Sequence, residues 1–361
     1  MKMLKMLTCL LISFASFTYA EDQKFKVGVI APLSGDMAEY GEAMRGGIEL
    51  AKEDYPDKFL NIKFLYEDVR HDAAKAVLAF RKLREIDKID LVYPFGVHLS
   101  RAVAPVAESL HFPVVAQSVD SSISQSNKYV VRFFNHSGLY ADSLLSYLRR
   151  KKYKNIAIVL AETAYLEDIY KQISNRLLAD EKIEIIDEYL EAQVDFRATI
   201  SKLKFKKYDA LGILLGAGQI GLFYRQLKEQ GINMNTFGSN YFESSSEILA
   251  SNGSMAGAVF PNNYIDPVFE SRYSRKFGNK AQLTFAACAY EFALMIAENF
   301  SAYSSKLSSD AIMELLRRNY KKEKTVTGSV EFIQEFDVGG FFKTPVVIKQ
   351  IEKNGSFKIL N

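Results

Sequence analysis

Short, continuously apolar segments alternate with amphipathic ones along most of this 361-residue chain. Residues 26–31 read as a buried strand, 32–36 as a loop and 39–54 as a helix. The alternation continues with predicted strands at 61–67, 91–93, 113–116, 155–160, 183–190 and 211–216. Between them, helices are predicted from the Asp72 cap to residue 86, and over 101–110, 137–151, 167–180, 197–205 and 220–231. Short apolar strands separated by helices mark parallel sheets covered on both faces, so the pattern is α/β and doubly wound. After residue 265 the pattern turns helix-rich, at 267–277, 284–301 and 309–318. Those helices need a sheet to cover, and the first lobe is their natural host. No low-complexity linker divides the chain. Two lobes joined by ordered crossing segments, which act as a hinge, are therefore expected. The expected division is 24–136 with 264–336 for one lobe, and 137–263 with 337–361 for the other.

The first 20 residues change the compartment. Lys2 and Lys5 precede an apolar stretch from residue 7 to 17, and Thr18-Tyr19-Ala20 is a small-x-small site. This is the layout of a cleavable export signal with cleavage after Ala20, and it is too short for a membrane anchor. Cys9 lies too early for a lipoprotein. Removing the leader leaves 341 residues, enough for two α/β domains, with Cys288 as the one remaining cysteine. Without an internal disulfide, stability must come from ordinary cores. The formal charge of +3 falls to +1 when Lys2 and Lys5 leave, so no basic field points to nucleic acid or a membrane surface.

Ordered pieces along the chain carry a resemblance. Val27-Gly28-Val29-Ile30-Ala31-Pro32-Leu33-Ser34-Gly35 is followed by Tyr40-Gly41 and Gly46-Gly47-Ile48-Glu49-Leu50-Ala51. Further pieces are Tyr66-Glu67-Asp68 with Asp72 and Ala73, the run from Ala102 to Glu108 with Pro113-Val114-Val115, and Asp195-Phe196 with Leu203-Lys204. Tyr290 within 286–293, and Gly328 through Phe336-Asp337, complete the set. In this order the chain resembles the type I periplasmic binding proteins of the leucine/isoleucine/valine family over nearly all of its mature length. The resemblance implies two Rossmann-like lobes joined by a three-segment hinge. It also implies closure on a small solute and delivery to an inner-membrane ABC permease.

The resemblance also implies which positions meet the solute. The 32–35 loop with Ser34, and Tyr40, keep the family's form, and Tyr165 matches a second pocket tyrosine. Tyr40 alternatively packs on the surface at a helix start. Elsewhere the chain departs from the amino-acid-binding pattern. A hydroxyl expected after the third strand falls on Val97, beside His98, with Ser100 the nearest hydroxyl. A small-x-Thr site falls on Ser118-Val119-Asp120, and an aspartate there would repel a ligand carboxylate. The acid that holds an α-ammonium falls on Asn240, with Glu243 three residues on. Glu243 is either a ligand group or a capping acid, and His98 either a site residue or a polar loop histidine. These departures admit a cationic, amide-like or hydroxylated solute as well as an amino acid.

Gly216-Ala217-Gly218-Gln219-Ile220-Gly221 matches the G-x-G-x-x-G dinucleotide fingerprint, after a predicted strand and before a helix. It lies mid-chain, in an exported protein, where nicotinamide cofactors are not supplied. It reads better as a close-approach loop with Ala217 or Gln219 facing the cleft. No histidine pair has metal-ligand spacing, and no nucleophile elbow or phosphate loop is present. The expectation is a non-enzymatic solute-binding component of an ABC importer in the periplasm, taking an amino acid or similar small polar solute and no cofactor. The alternative is an envelope regulator or receptor module on the same fold. An exported oxidoreductase using the glycine loop is the third reading.

Overall fold

The alternation of strand and helix resolves into two sheets. The structure is a computed structural model that describes residues 24–190, 193–278, 282–303, 305–318 and 320–360. The expected leader lies outside these residues.

The chain first lays down β1 (Phe25–Ala31), β2 (Ile62–Asp68), β3 (Leu91–Pro94), β4 (Val114–Ala116) and β5 (Val130–Arg132). All are parallel, in the order β2-β1-β3-β4-β5, and β1 pairs with β2 from Phe25 opposite Ile62 to Ala31 opposite Asp68. It then crosses to a second parallel set, β6 (Asn155–Ala161), β7 (Lys182–Tyr189), β8 (Ala210–Leu214), β9 (Thr236–Gly238) and β10 (Val259–Asn263). It returns through helices Pro267–Phe277, Leu283–Phe300 and Ser309–Arg317 to β11 (Lys321–Thr325), β12 (Gly328–Gln334) and β13 (Gly340–Lys343). β13 runs parallel to β5, and β11 and β12 follow it as antiparallel edge strands. A last crossing leads to β14 (Val346–Ile351) and β15 (Phe357–Leu360), antiparallel on β10. This is the two-lobed, doubly wound α/β architecture.

The third crossing differs from expectation. A boundary between residues 336 and 337 would cut the β12–β13 hairpin, because Gly340–Lys343 belongs to the first sheet through the Phe341–Arg132 pair. The crossing falls at Thr344-Pro345 instead. Two helices also start early. The helix predicted from residue 101 begins at Gly96, and the one predicted from 167 begins at Ala164, capped by the Thr163 side chain.

The Leu283–Phe300 helix explains the apolar stretch near the end. Sixteen of its 18 residues are buried, since it is wedged between the first sheet and helix Ala38–Asp54. Tyr93 of β3 stacks on its Phe292 at 3.7 Å. Gly47 permits the close helix approach, because a Cβ there would lie 2.0 Å from the Ala286 carbonyl oxygen. No described helix is long and apolar enough to cross a membrane.

One side chain links the three crossings. Asn135, just past β5, donates from Nδ2 to Asn263 Oδ1 at 2.8 Å, to Thr344 O at 2.9 Å and to Thr344 Oγ1 at 3.0 Å. Its Oδ1 accepts from Thr344 N at 3.0 Å. Tyr140 donates to the same Asn263 oxygen at 2.7 Å. Each crossing thus contributes a residue to one buried hydrogen-bonded knot.

Candidate ligand cleft

In open α/β sheets, ligands sit at the carboxyl ends of strands. Here those ends belong to both lobes and face each other. From the first lobe come the loop after β1, Phe95 and Gly96 after β3, and residues 117–120 after β4. From the second come Tyr165 after β6, the glycine loop after β8 and residues 239–244 after β9. Helix Gly96–Ser109 touches helix Ala164–Ser174 across the gap.

Aromatic rings fill the centre. The Tyr40 ring lies 5.4 Å from Phe285, 6.0 Å from Phe95 and 6.0 Å from Tyr241 of the opposite lobe. Tyr165 lies 4.9 Å from Tyr241 and donates its hydroxyl to Asn240 Oδ1. Burial pushes the Tyr40 and Tyr165 phenols well above their ordinary range, so both stay neutral donors. Tyr40 is buried in this cluster, not laid on the surface.

Ser34 secures the first loop. Its hydroxyl donates to Asp68, Arg70 Nε donates to its Oγ at 3.1 Å, and Leu33 N donates to Asp68 at 3.0 Å. Val97, His98 and Ser100 lie in the first turns of helix Gly96–Ser109, whose N-cap Phe95 offers no side-chain acceptor. The turn into that helix needs Gly96, which has φ +66° and donates its N–H to Gln117 O at 2.9 Å. His98 is exposed on the rim, 5.1 Å from the His71 ring, and Ser100 Oγ is buried without a partner among the described residues.

Several expected ligand groups are engaged within the chain. Asp120 accepts from Arg101 Nε at 2.6 Å, from Ser122 Oγ at 2.7 Å and from Ser122 N at 3.0 Å. Burial alone would raise its carboxyl, but the Arg101 and Ser122 bonds hold it below the usual range. It therefore does not present the uncompensated charge expected from sequence. Ser118 Oγ accepts from Asp120 N at 3.3 Å. Glu243 accepts from Lys349 Nζ at 2.5 Å, from Asn262 Nδ2 at 2.8 Å and from Thr284 Oγ1 of the other lobe at 3.1 Å. It is not the helix cap: Ser244 caps helix Ser245–Ala250.

The glycine loop is also closed to an anion. Gly218 N and Gly221 N, the groups that would meet a pyrophosphate, donate to the Glu247 carboxylate, the latter at 2.7 Å. Gln219 does not face the cleft as a free group. It accepts from Gly216 N at 2.9 Å and donates to Leu190 O at 3.0 Å and Gln193 O at 3.2 Å. Ala217 is exposed at the loop tip. Among the described residues, no group of three His, Cys, Asp or Glu could hold a metal ion.

The structure adds Glu39, Phe95, Tyr241, Ser244 and Phe285 to the cleft. Ser244 Oγ donates to Glu39 Oε1 across the lobes at 3.3 Å. Glu39, Tyr241 and Ser244 each had one legible signal, a place directly beside Tyr40, Asn240 or Glu243.

Residues 24–356 match the periplasmic binding protein family. The chain is similar to the Leu/Ile/Val-binding protein BraC3 of Rhizobium johnstonii, 23% identical over 328 residues, which span 88% of this chain and 85% of that one. It is also similar to the leucine-, isoleucine-, valine-, threonine- and alanine-binding protein of Pseudomonas aeruginosa, 24% identical over 346 residues, 91% and 90% of the two chains. Among solved structures, the isoleucine complex of the branched-chain amino acid transporter substrate-binding protein LivJ from Streptococcus pneumoniae superposes with a TM-score of 0.80. It has 18% identity and covers 93% of this chain and 99% of that one. An ABC-transporter solute-binding protein from Rhodopseudomonas palustris with 3,4-dihydroxybenzoic acid also gives 0.80, at 20% identity and 93% and 95% coverage. These are binding proteins, not enzymes. The chain belongs to the periplasmic binding protein family and has its type I fold.

Proposed function

We propose that this protein is the substrate-binding component of an ABC importer, exported to the periplasm and cleaved after Ala20. It holds one small polar solute between its lobes and presents the closed form to an inner-membrane permease. The observation that carries this reading is the meeting of Tyr40 from one lobe with Tyr241 of the other, which packs in turn on Tyr165. Rings contributed from both sides can enclose a solute only when the lobes come together, which couples binding to closure. The asparagine knot at the three crossings supplies a compact pivot for that motion. Similar proteins bear ligands ranging from isoleucine to dihydroxybenzoate, which supports a small organic solute.

A thermal-shift screen of the chain lacking residues 1–20 tests this. A true solute at a hundredfold excess over its Kd stabilises the fold by about 2.7 kcal/mol, a readily measured rise in melting temperature. Tyr165→Phe, which removes only the hydroxyl that holds Asn240, is expected to weaken the response. No response across amino acids, amines, amides, aromatic acids and polyols would contradict the proposal.

A further inference from the structure

Two consecutive residues of the second lobe bond to the first. Glu243, in the turn Asn240–Glu243 after β9, accepts from Thr284 Oγ1 at 3.1 Å. Ser244 Oγ donates to Glu39 Oε1 at 3.3 Å, and Gln282 Nε2 of the first lobe donates to the same oxygen at 3.3 Å. Thr284 and Glu243 are both buried, so their bond lies out of solvent. Each partner is fixed to its own lobe. Thr284 stands in the first turn of helix Leu283–Phe300, which packs on helix Ala38–Asp54 and stacks Phe292 on Tyr93 of β3. Glu243 is gripped by Lys349 Nζ of β14 at 2.5 Å and by Asn262 Nδ2 of β10 at 2.8 Å. Neither side chain can follow the other when the lobes part. Asn262 adjoins Asn263 of the crossing knot, so this bond lies close to the pivot, and the Ser244–Glu39 bond adds a second link at the start of helix Ala38–Asp54. A hydrogen bond of 3.1 Å is lost once its atoms separate by about another half ångström, so a small opening breaks it. The acceptor is a carboxylate facing the first turn of an 18-residue helix, whose N-terminal end carries partial positive charge. Both features make the bond stronger than one between neutral groups.

We propose that Glu243 and Thr284 form a closure clasp that draws the two lobes together without a solute, so that part of the free energy of closure comes from the protein itself. The proposal rests on the solute-binding reading above. It gives Glu243, which the sequence left as either a ligand group or a capping acid, the role of a positioning residue acting through Thr284. Lys349 belongs to the same device, because its ammonium supplies the counter-charge that lets a buried carboxylate serve as the acceptor. A solute that binds the closed form has its affinity scaled by the fraction of molecules already closed. Loosening the clasp therefore weakens every solute by the same factor. It sets how tightly the cleft binds and leaves the choice of solute to other groups.

The test is the lobe-to-lobe distance in protein free of solute. The chain lacking residues 1–20 is stripped in guanidinium, refolded, and shown to be bare by native mass spectrometry. Spin labels on cysteines placed at Leu78 of the first lobe and Phe205 of the second, both exposed, report the distance by pulsed electron resonance. The expected result is a closed population in the parent, and a closed-to-open ratio about ten- to hundredfold lower in Thr284→Val, as for loss of one hydrogen bond to a charged group. Thr284→Ser, which keeps the hydroxyl, should restore the parental distances. Circular dichroism checks that the variants fold, and a role confined to helix packing would lower the melting temperature while leaving the distances unchanged. Glu243→Gln combined with Lys349→Met removes the charged acceptor. It should open the lobes in the same way, and it carries the test if Thr284→Val does not fold. A parent wholly open without solute, parental distances in a folded Thr284→Val or in the double variant, or no restoration in Thr284→Ser overturns the clasp and leaves the solute-binding reading standing. Failure of every solute in the thermal-shift screen contradicts that reading instead, without moving these distances.

Discussion

Lys349 Nζ lies 2.5 Å from Glu243 Oε1, an ion pair in which the two side chains are 7% and 1% exposed. Lys349 comes from β14, the strand added after the last crossing, and Glu243 from the turn after β9. Asn262 and Thr284 satisfy the other carboxylate oxygen, so the unit is electrically closed without a ligand. Glu243→Gln leaves a buried ammonium unpaired and should cost about 3–5 kcal/mol of stability. Pairing it with Lys349→Met should restore much of that loss. Urea denaturation of the single and double variants checks this; a cost below about 1 kcal/mol for the single change would show the pair to be dispensable.

The knot at the crossings has a separate consequence. Asn135→Leu would leave the Thr344 N–H and hydroxyl buried without that partner, at about 1–3 kcal/mol each, while Asn263 Oδ1 keeps the Tyr140 hydroxyl. Loss of the shared pivot should also broaden the distribution of lobe-to-lobe distances. Spin labels on cysteines placed at Leu78 and Phe205, which are 66% and 89% exposed, report that distribution. Cys288 will not compete for label, being buried with its thiol pushed up to about 12 by burial. An unchanged, narrow distribution in Asn135→Leu would remove the knot from the hinge.

Glu291 gives a pH signature. It is buried in the Leu283–Phe300 helix and accepts from Val326 N at 2.7 Å. Burial pushes its carboxyl up from 4.5 to about 7, against the pull of Val326 N–H and Lys322. Between those values the folded state keeps a proton that the unfolded state releases. The stabilisation is therefore complete below pH 4.5 and declines as pH rises towards 7, by up to about 1.4 kcal/mol per unit. Glu291→Gln stays neutral and should gain stability relative to the parent across that window. Parallel stability–pH profiles for the two proteins would contradict the assignment.

Much of the fold was legible because buried parallel strands and amphipathic helices write a strong periodic pattern. The helix predicted over 137–151 is found at Ser137–Arg150, and Asp72 caps its helix as its side chain suggested. Some strands gave no such signal: β11 is Lys-Lys-Glu-Lys-Thr, a polar edge strand, and β5 and β9 have three residues each. The cleft was only partly legible. Tyr40 and Tyr165 both pack on Tyr241, each from the start of a helix that follows a predicted strand. The states of Asp120, Gln219 and Glu243 depend on Arg101, Leu190 and Lys349, partners 19, 29 and 106 residues away. Spacing along the chain carries no information about pairings of that kind. The glycine loop reads from sequence as a close-approach loop and not a phosphate site, but Glu247, which occupies its N–H groups from 26 and 29 residues away, is not visible in that reading.

The central claim is that the two lobes enclose a small solute, and native mass spectrometry of the protein tests it most directly. Protein purified from its native source without denaturation should carry one small molecule, released on unfolding and identified by its mass. It should be lost, or bound far more weakly, when Tyr40 and Tyr241 are both replaced by alanine in a variant that still folds. A bare polypeptide mass in the parent protein, unchanged after incubation with the full solute panel, would contradict the account.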